Sequence, residues 1–258
     1  WSSDVCSSDL ARFASGGPAD LPFDDYVAAL LRDLEKMLPS VWGRRLHSVF
    51  IGGGTPSLFP AGAIDALLSA VRARMPMEPG AEVTLEANPG TVEAARFRGY
   101  REAGVNRISV GVQSFDDGCL RALGRIHSAN EARRAVDVAL AEVGNVNLDL
   151  MYALPGQTLA MARADIDAAA SLGVPHVSAY QLTLEPNTVF HANPPVLPPH
   201  DLAADMQVMV EEKLAEAGYG HYEVSAFARP GRRCRHNLNY WEFGDYLDRK
   251  STRLNSSH

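Results

Sequence analysis

The chain has 258 residues, with 24 Lys plus Arg against 31 Asp plus Glu, for a formal charge of −7 at pH 7. Hydrophobic residues make up 46% and charged residues 21%, the balance of a globular protein, which excludes a disordered tail protein, a collagen and a small disulfide scaffold. The length suits one large α/β barrel or two modest domains, and the acid excess argues against a nucleic-acid partner, because phosphate neutralisation needs a basic surface. A local basic cluster does exist at Arg229, Arg232, Arg233 and Arg235.

In chain order, residues 1–10 (WSSDVCSSDL) are rich in Ser and lack any helix or strand period. They are expected to be a non-native tail, as is the polar stretch 248–258 (DRKSTRLNSSH); an ordinary disordered terminus is the other reading. Residues 23–37 predict a helix, with Tyr26, Ala29, Leu30, Leu34 and Met37 at helical spacing behind an Asp-rich start. Ser48–Ile51 predicts a strand running into Gly52-Gly53-Gly54-Thr55-Pro56. A helix over 61–75 follows, then a strand at Val83–Leu85 ending in Glu86-Ala87-Asn88, and a helix over 92–102 closed by Gly104. Next come a strand at Ile108–Val112 ending in Gln113-Ser114, a helix over 129–142, a strand at Val146–Leu150 carrying Asp149, and a helix over 158–171. Val177–Leu184 predicts a fifth strand, 201–217 a helix, and Tyr222–Phe227 a last strand.

Strand followed by helix thus recurs five times at the spacing of βα crossovers, which predicts an α/β fold whose parallel sheet is covered by helices. Pro194, Pro195, Pro198 and Pro199 punctuate a loop read as the start of a smaller α+β region over 191–247, after a β/α core over 11–190. The cysteines Cys6, Cys119 and Cys234 have no CxxC or CxxxC spacing, so a disulfide framework is not expected and a reducing, cytoplasmic setting is. No run of 18 apolar residues and no signal peptide is visible.

Each strand delivers polar groups at its C-terminal end: Thr55, Glu86 with Asn88, Gln113 with Ser114, Asp149, and Gln181 with Thr183 and Glu185. In a parallel β/α sheet or barrel these ends converge on one rim, where ligand sites form. Taken singly, each also reads as a helix cap or a tight turn. Asp149, inside VNLDLM, must find a partner, because an unpaired buried carboxylate costs several kcal/mol, roughly. Three consecutive glycines remove every Cβ and let a polar ligand lie on the backbone; the segment is neither a Walker A loop nor GxGxxG.

The ordered set IGGGTPS, TLEANPGT, GVNRISVGVQSF, LGRIH, NLDLMYALPGQT, YQLTLEPNT and HNLNYW resembles the radical S-adenosylmethionine enzymes. More narrowly it resembles the HemW-type haem chaperones, relatives of oxygen-independent coproporphyrinogen III oxidase. The resemblance covers the chain from about residue 23 to Leu247. It implies an incomplete (β/α) radical-SAM-type partial barrel with S-adenosyl-L-methionine held by Gly53, Gly54, Thr55, Glu86, Gln113, Arg125 and Asp149, and by a backbone contact at Thr183. Arg125 also reads as an exposed helix end. His236, Asn237, Tyr240 and Trp241 match the HNxxYW segment tied to haem handling; a His can ligate haem iron while aromatic rings stack on the macrocycle. The same His could instead close the C-terminal region against the barrel.

The family also holds a [4Fe–4S] cluster on a CxxxCxxC loop of its first strand, and a radical is formed from S-adenosylmethionine there. No such loop is present in this chain, so the cluster is expected only in a complete parent, no metal site is read here, and the chain as given is expected to be inactive. The implied function is to bind haem and deliver it to a haem-accepting target protein; a membrane-associated recipient is compatible, though no membrane segment is read in the chain. Radical decarboxylation of coproporphyrinogen in porphyrin biosynthesis is the alternative. A barrel enzyme taking a phosphorylated metabolite is a third reading, and it needs a basic pocket where this rim offers acids and amides.

Overall fold

The computed structural model describes residues 22–91, 93–186 and 188–248, and the backbone of Thr252 and Arg253. The expected tail at 1–10, with Cys6, lies outside the described residues, as does most of the one at 248–258.

The helix α1 spans Phe23–Met37, with Asp24 and Asp25 in its first turn and Lys36 in its last, charges that suit the two ends of the helix dipole. The strand β1 (Leu46–Ile51) leads through the glycine turn to α2 (Ala61–Arg74). Then follow β2 (Met77–Ala87), α3 (Ala94–Ala103), β3 (Arg107–Gln113), the short α4 (Asp117–Ala122), and α5 (Ala129–Glu142). The chain goes on through β4 (Val146–Tyr152), α6 (Leu159–Ser171) and β5 (His176–Gln181). After α7 (Val189–Ala192) and α8 (His200–Glu216) come β6 (Gly220–Glu223), β7 (Ala226–Ala228) and α9 (Arg235–Trp241). A two-residue ladder, β8 (Tyr246–Leu247) with β9 (Thr252–Arg253), ends the described chain.

One seven-stranded sheet runs in the order β1-β2-β3-β4-β5-β7-β6, with the first five strands parallel and β7 and β6 antiparallel. The sheet curls into a half-barrel. Its convex face is apolar: Leu85, Val110, Leu148 and Val177 pack under Phe97, Val136, Ile166 and Met206. The α8 side chains belong to this same core, and β7 pairs directly with β5, so residues 200–228 extend the barrel body.

Two sequence expectations need correction. The last strand is not one strand but a hairpin, because the chain reverses at Val224–Ser225 and β7 turns antiparallel to β5. The fifth strand stops at Gln181, since Leu182 turns into a side cluster with Met151, Leu154 and Cys119. As expected, helices cover the sheet: α2, α3, α5, α6 and α8 pack on its apolar face, and the concave face is polar. The arginine cluster is in part an aromatic one: Arg229 lies 4.9 Å from the Tyr219 ring and Arg233 5.5 Å from that of Tyr222. No helix among the described residues is long and apolar enough to cross a membrane.

Candidate functional site

The concave face is built by strand alternation. Where Val83, Leu85 and Ala87 enter the core, Glu82, Thr84 and Glu86 face the other way; Arg107, Ser109 and Gln113 do so on β3, Asn147 and Asp149 on β4, and His176, Ser178 and Tyr180 on β5. The C-terminal strand ends form the rim. There Gly53 and Gly54 adopt φ of +83° and +66°, the left-handed region that glycine enters freely. The Gly53 N–H donates to Glu86 Oε2 at 3.0 Å. A Cβ on Gly52 would lie 2.5 Å from the Phe50 ring and 3.0 Å from the Glu86 carboxyl, so that glycine is required for the close approach. Thr55 follows at the start of a short 3-10 turn, half-buried.

Gln113 ends β3 at φ +69°, with Ser114 N–H bonded across it to Val112 C=O at 2.9 Å. A non-glycine residue in that region is strained, a condition that gathers at functional sites. Ala153, at the end of β4, shares it with φ +57°. The Gln113 side chain is buried and its Oε1 has no hydrogen-bond partner. The next loop is clamped beneath by Asp165 of α6, which accepts from Ser114 Oγ at 2.7 Å and Phe115 N–H at 2.6 Å. Burial pushes the Asp165 carboxyl up to about 6. Ser114 and Asn88, read as rim groups, are thus taken up by the scaffold; Asn88 Oδ1 accepts from Gly90 N–H at 3.3 Å within its own turn.

Arg125 sits at the end of α4, where its N–H returns to Leu120 C=O at 2.9 Å and Gly124 takes φ +70°. It is half-buried rather than fully exposed. Burial lowers its pKa, and the charge of Asp149 opposes that shift. Two anchors hold the loop: His127 Nε2 meets Val112 C=O at 3.1 Å, and Ser128 with Glu131 forms a capping box on α5.

Asp149 receives Ser109 Oγ and Asn147 Nδ2, each at 2.8 Å, and burial raises its pKa despite them. The network continues from Asn147 Oδ1 to His176 Nδ1, and from His176 Nε2 to Tyr222 Oη at 2.7 Å. Tyr180 is pushed up by burial first and then by the charges of Asp149, Glu223 and Glu86. Thr183, two residues past the end of β5, is exposed, and its hydroxyl donates to Glu185 Oε1 at 3.0 Å.

The HNLNYW segment forms α9 and enters the concave face from below the rim. Glu82 Oε1 accepts from Arg235 N–H at 3.0 Å, His236 N–H at 3.4 Å and Cys234 Sγ at 3.3 Å. The His236 ring stacks on Phe50 at 4.4 Å and meets Tyr240 edge-on at 5.0 Å. Burial, and secondarily the charge of Arg107, bring its pKa down to about 4, so the imidazole is neutral at pH 7. Asn237 is half-buried and Trp241 is 50% exposed.

These residues fit a sulfonium nucleoside: a glycine cradle, two acids, a half-buried Arg and an unpartnered amide oxygen meet on one rim. They do not fit an iron–sulfur cluster. No three His, Cys, Asp or Glu side chains converge for a metal among the described residues, and burial pushes both Cys119 and Cys234 up to about 11, leaving them as thiols.

Such a half-barrel, with a glycine-lined rim at the parallel strand ends, defines a class. The radical SAM superfamily model matches residues 18–169, and the chain belongs to that superfamily. It is similar to the protein called heme chaperone HemW in two organisms. Identity to the Escherichia coli (strain K12) protein is 52% over 229 residues, 88% of this chain and 61% of the relative; that to the Haemophilus influenzae protein is 52% over 234 residues, 89% and 61%. The chain therefore spans less than two thirds of the length of these curated relatives. Among solved structures, the coproporphyrinogen III oxidase HemN of Escherichia coli superposes with a TM-score of 0.73 at 25% identity, over 88% of this chain and 52% of that one. The Elp3 protein of Methanocaldococcus infernus, at TM-score 0.55 and 17% identity over 70% of this chain and 48% of that one, shares the fold.

The sequence reading named Gly53, Gly54, Thr55, Glu86, Gln113, Arg125, Asp149 and Thr183; the fold sets Gly53, Gly54 and Thr55 after β1, Glu86 near the end of β2, Gln113 at the end of β3, Thr183 just past β5, Arg125 in the loop after α4 and Asp149 midway along β4. That reading missed the interior residues Arg107, Asn147, His176 and Tyr180. Their signal was the strict alternation within RISVGVQ, VNLDLMY and HVSAYQ, which marks one apolar and one polar face.

Proposed function

We propose that this chain is the barrel portion of a haem chaperone, holding S-adenosylmethionine on its rim and presenting haem from the His236 side for transfer to a recipient protein. The observation that carries the haem half is the state of His236. It is neutral at pH 7, stacked on Phe50 and flanked by Tyr240, which suits an imidazole ligand beside a flat macrocycle. The 52% identity to proteins called heme chaperone HemW supports the same reading.

On the rim, Gly53 and Gly54 would leave backbone groups open to the methionyl end. Glu86 and Asp149 would attract its ammonium, Arg125 its carboxylate, and the Gln113 amide oxygen would accept from a ligand N–H or O–H. When bound, S-adenosylmethionine supplies a sulfonium centre to the family's one-electron chemistry; in this chain the described residues bind and orient it.

Titrating the protein with haem and following the Soret band tests the reading. The wild type is expected to shift the band, and His236→Ala to weaken binding by at least about tenfold, ~1.4 kcal/mol; an unchanged titration overturns the assignment of His236. The similarity to HemN favours the second reading, decarboxylation of coproporphyrinogen. Anaerobic incubation of a complete relative carrying the CxxxCxxC loop with coproporphyrinogen, S-adenosylmethionine and reductant separates the two, since product formed at enzyme-like rates would sink the chaperone reading.

A further inference from the structure

Three non-glycine residues among those described have positive φ, and two of them, Gln113 and Ala153, stand at the C-terminal ends of the paired strands β3 and β4. At Gln113, φ +69° with the bond from Ser114 N–H to Val112 C=O makes a γ-turn of the rare, strained kind. Both turns lead to one side chain on α6. Asp165 accepts from the two residues after Gln113, through Ser114 Oγ at 2.7 Å and Phe115 N–H at 2.6 Å. Its Oδ2 also accepts from Gln157 Nε2 at 3.3 Å, and Gln157 Oε1 accepts from the N–H of Leu154, the residue after Ala153, at 3.2 Å. A backbone N–H can only donate, so Leu154 fixes the Gln157 amide with its Nε2 toward Asp165. Ser114 Oγ already accepts from Asp116 N–H at 3.0 Å, which leaves its own proton for Asp165. Three donors therefore converge on a carboxylate with acceptors on both oxygens. Ser114, Gln157 and Asp165 are all buried, so water does not replace these bonds. The helix is seated on the sheet by Ala162, Ile166 and Ala169, whereas the Asp165 bonds go to the loops.

We propose that Asp165 is a positioning residue of the S-adenosylmethionine rim, holding the strained turn at Gln113 directly and the one at Ala153 through Gln157. This rests on the S-adenosylmethionine reading above. Strained backbone persists only where its surroundings fix it, and a group ordered in advance costs the ligand no ordering entropy. Asp165 lies beneath the turn and acts only through it, setting the Gln113 amide before the ligand arrives.

Hydrogen exchange on the ligand-free chain reads the brace. The Phe115 amide should exchange at least about tenfold faster in Asp165→Asn, whose side chain has acceptors on one oxygen only. Calorimetric titration with S-adenosylmethionine reads the consequence. Asp165→Asn and Gln113→Ala should each bind about tenfold more weakly than the wild type. The double variant should lose less than about threefold beyond Gln113→Ala, because the residue being positioned is already gone. Ile166→Val, which weakens the same helix from its core side, should bind as the wild type does. Ser114→Ala removes one of the three donors; it should cost about threefold and answers the question should Asp165→Asn not fold. Losses that multiply in the double variant, or an Ile166→Val that binds as weakly as Asp165→Asn, reduce Asp165 to a stabiliser of the fold and overturn the proposal. Unchanged Phe115 exchange or unchanged affinity in Asp165→Asn overturns it too, while wild-type binding preserves the rim reading. Absence of binding by the wild type overturns the rim reading and the positioning role with it.

Discussion

The backbone N–H of Gly53 and the carboxylate of Glu86, 33 positions apart, are joined by a 3.0 Å hydrogen bond that ties the ends of β1 and β2 together. The contact exists because Gly52, directly before it, has no side chain: a Cβ there would press on Phe50 and on Glu86 at once.

That relationship separates two neighbouring glycines. Gly52→Ala must displace Phe50 or Glu86 and is expected to weaken S-adenosylmethionine binding by about tenfold or more, ~1.4 kcal/mol. Gly53→Ala meets nothing within 4 Å but holds φ +83°, so it should lower stability by about 1–2 kcal/mol with a smaller effect on binding. Calorimetric titration and thermal melts of the two variants check the contrast, and equal binding losses would refute it.

Glu86→Ala and Asp149→Ala should each weaken S-adenosylmethionine binding. Asp149→Ala should also destabilise the fold by about 1–3 kcal/mol, because Ser109 and Asn147 lose their acceptor in a buried network. Unchanged affinity in both variants would remove the rim site.

Asp165 gives a pH signature. Its folded-state value, raised to about 6 by burial, exceeds the ordinary carboxylate value of about 3.9, so between those values the folded chain holds a proton that the unfolded chain releases. Its contribution to stability is therefore complete below about pH 4 and lost as pH rises through about 6. Asp165→Asn should abolish this component. Urea midpoints of both proteins at pH 7 and pH 5 measure it, with the wild-type midpoint expected to gain on that of Asp165→Asn on acidification.

His236 should titrate near pH 4 by NMR, well below an ordinary histidine at about 6.5. Because burial is the first cause and Arg107 the second, Arg107→Gln should raise the midpoint while leaving it below the ordinary value. A wild-type midpoint near 6.5 would mean that the imidazole is not enclosed by α9 and β1. Since the folded state resists this proton and the unfolded state accepts it, the His236 contribution to stability falls as pH drops from about 6.5 toward 4.

The arrangement of strands and helices was legible because apolar spacing is local: 129–142 reads as a helix from its own residues, and the Ser128–Glu131 box marks where it starts. Glu86 and Gln113 were legible for a similar reason, since a polar residue near the end of an apolar strand stands out, and Asp149 because it is a carboxylate within the apolar run of β4. The α9 helix was not, because seven residues carry too little periodicity and its first N–H groups are held by Glu82, 153 positions from Arg235. The hairpin at Val224–Ser225 was hidden likewise, its direction being set by pairing with β5.

By itself, then, the sequence determined a βα repeat with polar strand ends, since alternation and helical period are properties of neighbouring residues. Only the tertiary structure decided that the second face of the sheet is a polar interior, that His236 is neutral against Phe50, and that Arg107 brings its charge to Asp149 and His236. Those facts depend on register and curl, which bring together residues far apart in the chain and determine how much water each one keeps.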